Sequence, residues 1–223
     1  MFPALPTLTL DILKIEVRAF THTLSITPIS SLYGTTDGKA VGTYVEQLLR
    51  THLSRTYSFQ LGNSALGVDF PDLQVDLKVT SIKQPQSSCP FLDANQKVYG
   101  LGYHLMVMIY DKTDDIVTKT AKLNFQYVIF LDRQHTADYQ TTNGLLGILN
   151  RNGNQDDIMA FLIERNLPLE EIGLGLLAKR ILEDPPQQGY LTISNALQWR
   201  LQYSRIITVA AQGNTRGIEN LLV

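Results

Sequence analysis

Between residues 8 and 24, Leu10, Leu13, Val17, Phe20 and Leu24 recur every three or four positions, one apolar stripe that predicts a helix. Residues 39–55 repeat the pattern with Val41, Val45, Leu48, Leu49 and Leu53. Glu46 and Arg50 lie one turn apart on that second helix, the spacing of a surface ion pair. From Gln74 the period drops to two. Val75, Leu77 and Val79 fall on one face of a predicted strand, and Gln74, Asp76, Lys78 and Thr80 on the other. The run from His104 to Tyr110 is almost wholly apolar and predicts a buried strand, followed by a turn at Asp111–Asp115. Residues 116–132 alternate through Leu123, Phe125, Tyr127, Ile129 and Leu131, which predicts one long strand or two short ones. Beyond Arg133, helical spacing covers 137–150, 154–165 and 168–183, with Asn154 capping the second and Pro168 starting the third. After a break at Pro185–Gly189, a short strand at 190–193 precedes a last helix capped by Ser194. The expected class is α/β (α+β), with a central mixed β-sheet flanked by helices and a helical C-terminal part. Residues 1–223 form one domain in this reading, with 133–223 mostly helical and packed on the rest.

Composition narrows the picture only a little. Of 223 residues, 44% are hydrophobic and 18% charged, ordinary for a chain that buries a real core. Cys89 is the single cysteine, so no internal disulfide can form, which fits a reducing cytoplasm. Asp11, Lys14, Glu16 and Arg18 interrupt the N-terminal apolar positions, so neither a signal peptide nor a membrane span is expected there. A net charge of −2 argues against a protein that coats nucleic acid through charge alone. It leaves a nuclease open, because catalytic acids offset a local basic surface.

The candidate chemistry lies in Gly67–Ser81, GVDFPDLQVDLKVTS. Pro71 breaks the strand pattern and favours a turn, and a tight reversal there would return Asp69 to the side of Asp76. Two converging carboxylates bind a hard divalent cation, most often Mg2+. Such an ion polarises a phosphoryl oxygen and acidifies a bound water. A neighbouring lysine, here Lys78, can orient or deprotonate that water and offset developing negative charge. Together these groups suit phosphodiester hydrolysis, although on the bare pattern alone an edge strand with a solvated polar face is the stronger reading. Glu46 borders the buried stripe of its helix and can point toward the same carboxylates. Rival sites fail. GTTDGKAV at Gly34–Val41 has three residues between its glycines and Ala40 after the lysine, so it is not a phosphate loop. His22, His52, His104 and His135 are scattered, and no G-x-S-x-G elbow occurs.

Two polar stretches carry groups of the kinds that contact phosphates and base edges. Lys83, Gln84, Gln86 and Ser87 follow the candidate strand, and Gln198, Arg200, Gln202 and Arg205 give the last predicted helix a polar, basic side. Ordinary solvated faces have the same composition.

In context, Asp69-x6-Asp76-x-Lys78 resembles the PD-(D/E)xK nuclease superfamily. The order of elements is similar: a helix with Glu46, a hairpin bearing Asp69, Asp76 and Lys78, then apolar strands. Locally the stretch resembles MutH-like mismatch-repair nicking endonucleases and related restriction enzymes, which carry a phenylalanine-proline-acid-leucine turn where this chain has Phe70-Pro71-Asp72-Leu73. The likeness covers about fifteen residues plus element order. It implies a restriction-endonuclease-like core with Asp69, Asp76 and Glu46 as Mg2+ ligands and Lys78 at the attacking water. Asp72 sits in the turn, too close to Asp76, so Asp69 is taken as the first acid. Asp76 stands where many relatives have Glu. The activity implied is that of a type II restriction endonuclease on double-stranded DNA, acting as a homodimer in the cytoplasm with no membrane partner. A MutH-like nicking repair endonuclease and a non-catalytic nucleic-acid or protein-binding module on the same fold remain as alternatives.

Overall fold

The computed structural model describes residues 4–62, 67–89, 92–194 and 200–223. Along them run α1 (Leu10–Ile26), α2 (Gly38–Ser54), β1 (Val75–Ser81), β2 (Gln86–Ser88), α3 (Gln96–Tyr99), β3 (His104–Asp115) and β4 (Thr120–Leu131). They continue with α4 (Tyr139–Asn150), α5 (Gln155–Glu164), α6 (Glu171–Glu183), β5 (Thr192–Ile193), β6 (Arg200–Gln202), α7 (Ser204–Ala211) and β7 (Ile218–Asn220). The mixed α/β class expected from the periodicity is the class observed. Two compact units interleave in sequence: one takes Met1–Pro85, Leu105–Phe130 and Val209–Val223, the other Gln86–His104 and Leu131–Thr208.

In the first unit the sheet order is β1-β3-β4-β7. The stripes of α1 and α2 bury Leu13, Val17 and Leu24, and Val41, Val45, Leu49 and Leu53, together with Val75, Leu77, Met106, Met108 and Leu123. Leu10, Phe20 and Leu48 pack half-buried at the margin of this core. Caps fix the helix starts: Thr9 Oγ1 accepts the Ile12 N–H at 3.3 Å, and Asp37 Oδ1 accepts the Lys39 N–H at 2.9 Å. The run that resembled a phosphate loop is thus the cap and first turn of α2. That helix packs on β1, and a Cβ added at Gly42 would stand 3.7 Å from the Val79 carbonyl oxygen.

Four local expectations change. Asp111–Asp115 continues β3 rather than turning; its residues are polar because this end of the ribbon runs out into solvent. The reversal falls at 116–119, where Asp115 Oδ1 accepts the Val117 and Thr118 N–H groups at 2.8 and 3.1 Å, and β4 is one strand. α6 starts at Glu171, not Pro168, because the Leu169 N–H is taken by the Leu167 carbonyl at 2.8 Å and the chain turns first. The last predicted helix is cut short. Arg200–Gln202 forms β6, and only Ser204–Ala211 is helical. Ser194 closes β5 onto β6 through its N–H to the Arg200 carbonyl at 3.1 Å instead of capping a helix, and Gln198 and Trp199 lie outside the described residues. In the second unit β6 is the centre of a three-stranded sheet, β2-β6-β5, and α4, α5 and α6 pack in succession around Leu145, Ile158, Leu162, Leu177 and Ile181.

Candidate active site

The reversal between Asp69 and Asp76 is built locally. Pro71–Leu73 forms a single 3-10 turn, and Gln74 closes it in the left-handed region at φ 53°. Phe70 and Val75 then face each other as an antiparallel pair, with N–H to carbonyl distances of 2.9 and 3.2 Å in the two directions. The Phe70 ring is buried and packs tilted against Phe59 with ring centres 5.3 Å apart, which anchors the turn in the core. Asp69 comes back alongside β1, and its Oδ2 accepts the Leu77 N–H at 2.8 Å. Asp72 faces elsewhere, with its Oδ2 on the Gln60 N–H at 3.1 Å.

Asp76 is 3% exposed although it lies on the polar side of the strand pattern. Lys78 Nζ meets its Oδ2 at 2.6 Å. Burial raises the Asp76 pKa to about 7; the Lys78 charge opposes the rise, and a hydrogen bond and repulsion from Asp69 add to it. For Lys78, burial favours the neutral amine, but Asp76, Asp69 and Glu46 outweigh it and hold the pKa above the ordinary value. Glu46 is raised as well, first by burial and then by the charge of Asp69, with Lys78 and Arg50 opposing. So Glu46 lies within electrostatic reach of Asp69, Lys78 and Arg50.

One member of the cluster was read differently from the sequence. Arg50 is not spent on a surface pair with Glu46. Its guanidinium grips Asp69 Oδ1, and its Nε is buried without a hydrogen-bond partner among the described residues. The signal lay one turn beyond Glu46 on the same half-buried flank of α2. Three carboxylates, Glu46, Asp69 and Asp76, thus face two cations, Lys78 and Arg50.

The donor set fits a hard divalent cation: carboxylate oxygens only, three acids against two cations, with one acid held toward its neutral form first by burial. Among the described residues, no three His, Cys, Asp or Glu side chains are gathered around one point as a metal cage. Asp76 feels the charge of Asp69, while Arg50 holds the Asp69 carboxylate through Oδ1.

The expected DNA-contacting residues divide. Lys83 and Gln84 are exposed in the turn after β1. Gln86 and Ser87 lie on β2, where Ser87 Oγ bonds the Tyr203 hydroxyl at 2.6 Å. Arg200 is exposed on β6 rather than on a helix. Arg205 is on α7, but its guanidinium stacks 3.5 Å from the centre of the Tyr139 ring, because Tyr139 opens α4 beside it.

A mixed sheet whose first strand carries an acid and a lysine, with a second acid folded back beside them, defines a restriction-endonuclease-like protein. The chain matches the family described as Type II restriction enzyme NspV over residues 7–220. It is also 55% identical, over 205 residues, to the type II restriction enzyme NspV of Nostoc sp., covering 92% of this chain and 93% of that protein. No solved structure matches it. The chain belongs to the NspV family of type II restriction enzymes and is an enzyme, a site-specific deoxyribonuclease. No described helix is long and apolar enough to cross a membrane.

Proposed function

We propose that this chain is a Mg2+-dependent endonuclease of PD-(D/E)xK type that cuts both strands of double-stranded DNA at a specific site, acting as a cytoplasmic homodimer on a two-fold symmetric sequence. The observation that carries this reading is the return of Asp69 to Asp76 through the Phe70–Val75 pair, with Lys78 on Asp76 at 2.6 Å. Asp69 and Asp76 would hold the ion, with Glu46 completing its surroundings from α2. When bound, Mg2+ supplies charge stabilisation to a phosphoryl oxygen and acidity to a water. Lys78 stays a cation there and serves as a donor that orients the attacking oxygen and offsets charge on the phosphate, rather than as a base. The Leu77 N–H fixes the Asp69 carboxylate, and the buried Phe70 fixes the turn that delivers it. Two-fold protein symmetry would match a palindromic target.

The test is incubation of unmethylated plasmid DNA with Mg2+. Discrete linear fragments are expected. Nicked circles alone would indicate a single-strand nicking enzyme, and no cutting would indicate a binding module. Asp69→Ala, Asp76→Ala and Lys78→Ala should each lower cleavage by about a thousandfold or more while DNA binding persists. Normal cutting by any of the three would remove that residue from the site.

A further inference from the structure

The two polar stretches that looked unrelated in the sequence are assembled by the fold into one surface. β2 pairs antiparallel with β6 in the register Gln86 to Gln202, Ser87 to Leu201 and Ser88 to Arg200. β5 pairs with the other edge, Thr192 to Gln202 and Ile193 to Leu201. Alternation then sorts the side chains. Ser87, Leu201 and Ile193 share the inner face, where Leu201 and Ile193 are buried and Ser87 bonds the buried Tyr203. Gln86, Ser88, Arg200 and Gln202 share the other face, on which Ser88, Arg200 and Gln202 are exposed and Gln86 half-buried.

We propose that this outer face is the base-reading surface of the enzyme, entering the major groove as a short β-ribbon, with Arg200 and Gln202 as the specificity-determining residues. The dimensions agree. The major groove, about 12 Å wide, admits a two-stranded β-ribbon, and β6 paired antiparallel with β2, about 4.8 Å away, is such a ribbon and carries Arg200, Gln202, Gln86 and Ser88. The chemistry agrees as well. A guanidinium fork matches guanine O6 and N7, a glutamine amide matches adenine N6 and N7, and a serine hydroxyl serves either base. The face offers directional hydrogen bonding with a single cation, Arg200, the makeup of a surface that reads bases rather than coats phosphates. Arg200 and Gln202 are two residues apart on one strand, about 6.6 Å, or about two base-pair steps of duplex. Their readings should therefore fall on positions two base pairs apart, Arg200 on a G·C pair and Gln202 on an A·T pair.

This inference rests on the family's site-specific activity and not on the metal centre, so its readout is binding. Random duplexes are selected on the full-length chain, with Ca2+ in place of Mg2+, for wild type, Arg200→Ala and Gln202→Ala. Both side chains are exposed, so folding is expected to survive, and matching melting temperatures check this. Each variant should lose about ten- to a hundredfold of discrimination at one base pair per half-site, keep its preference elsewhere, and lose it at a different position from the other variant. An unchanged preference profile in both would overturn the proposal. So would a uniform loss of affinity for all sequences, the mark of a phosphate contact. Failure of plasmid cleavage in Mg2+ would count against the catalytic reading while leaving this selection able to decide.

Discussion

Asp76→Asn should make the metal-free protein more stable at pH 8. Asp76 is 3% exposed, and its pKa is raised to about 7, first by burial and then by the hydrogen bond and charge of Asp69, against the pull of Lys78. An unfolded aspartate titrates near pH ~3.9, so the native state keeps a proton that the unfolded state has lost over about three pH units. The native state thus binds more protons through this window, and stability is full below the unfolded value and falls as pH rises through about 7. At ~1.36 kcal/mol per unit the full cost is about 4 kcal/mol. Relaxation and water entry around the ionised pair lower the working figure to about 2 kcal/mol. Asparagine keeps the shape and an acceptor for Lys78, whose charge remains balanced by Asp69 and Glu46. For a chain of this size, about 2 kcal/mol corresponds to roughly 4–8 °C in Tm. Thermal melts in EDTA from pH 5 to pH 8 should show the variant above wild type at pH 8, with the gap closing toward pH 5. With Mg2+ at ~100 times its Kd, wild type should recover about 2.7 kcal/mol that the variant cannot, and the order should invert. A variant that melts at or below wild type at pH 8 in EDTA, or a gap that does not move with pH, would refute the account of why this carboxylate is poised where it is.

Arg50→Gln should tighten Mg2+ binding about fivefold by calorimetry at pH 8, since Asp69 no longer has to leave an ion pair before it can serve as a ligand. Weaker or unchanged binding would instead make Arg50 a fixed support. Asp138→Ala should destabilise the protein by about 3 kcal/mol in urea. This buried cap of α4 accepts from the Thr141 N–H, the Thr141 hydroxyl and the Ile193 N–H, each at 2.9 Å, and a loss under ~1 kcal/mol would mean that water replaces them.

How far each part of this protein could be read in advance follows from the range of the contacts that make it. The acid pair depends on a reversal that closes between Phe70 and Val75, so Pro71 and the alternation of β1 were enough to bring Asp69 to Asp76 and to leave Asp72 aside. The stripes of α1 and α2 and the apolar runs of β3 and β4 were equally plain, because burial stamps a period on them. Arg50 was misjudged because helical spacing places it on a flank without saying what stands opposite, and its partner Asp69 is set by the packing of α2 on β1. Of the sheet of β2, β6 and β5, only the strand at 190–193 was legible, and the pairing was not, for a deeper reason. Its strands are two or three residues long, too short to show a period, and Ser87 meets Tyr203 across 116 residues of chain. A surface that reads bases must stay polar and exposed, so burial writes no pattern into it. A catalytic cluster needs its charges partly out of water, and that burial gives it a strand, a stripe and a turn that the sequence has to display. The same physics makes the proposed cutting site legible along the chain, whereas the proposed recognition surface becomes visible only once the strands are paired.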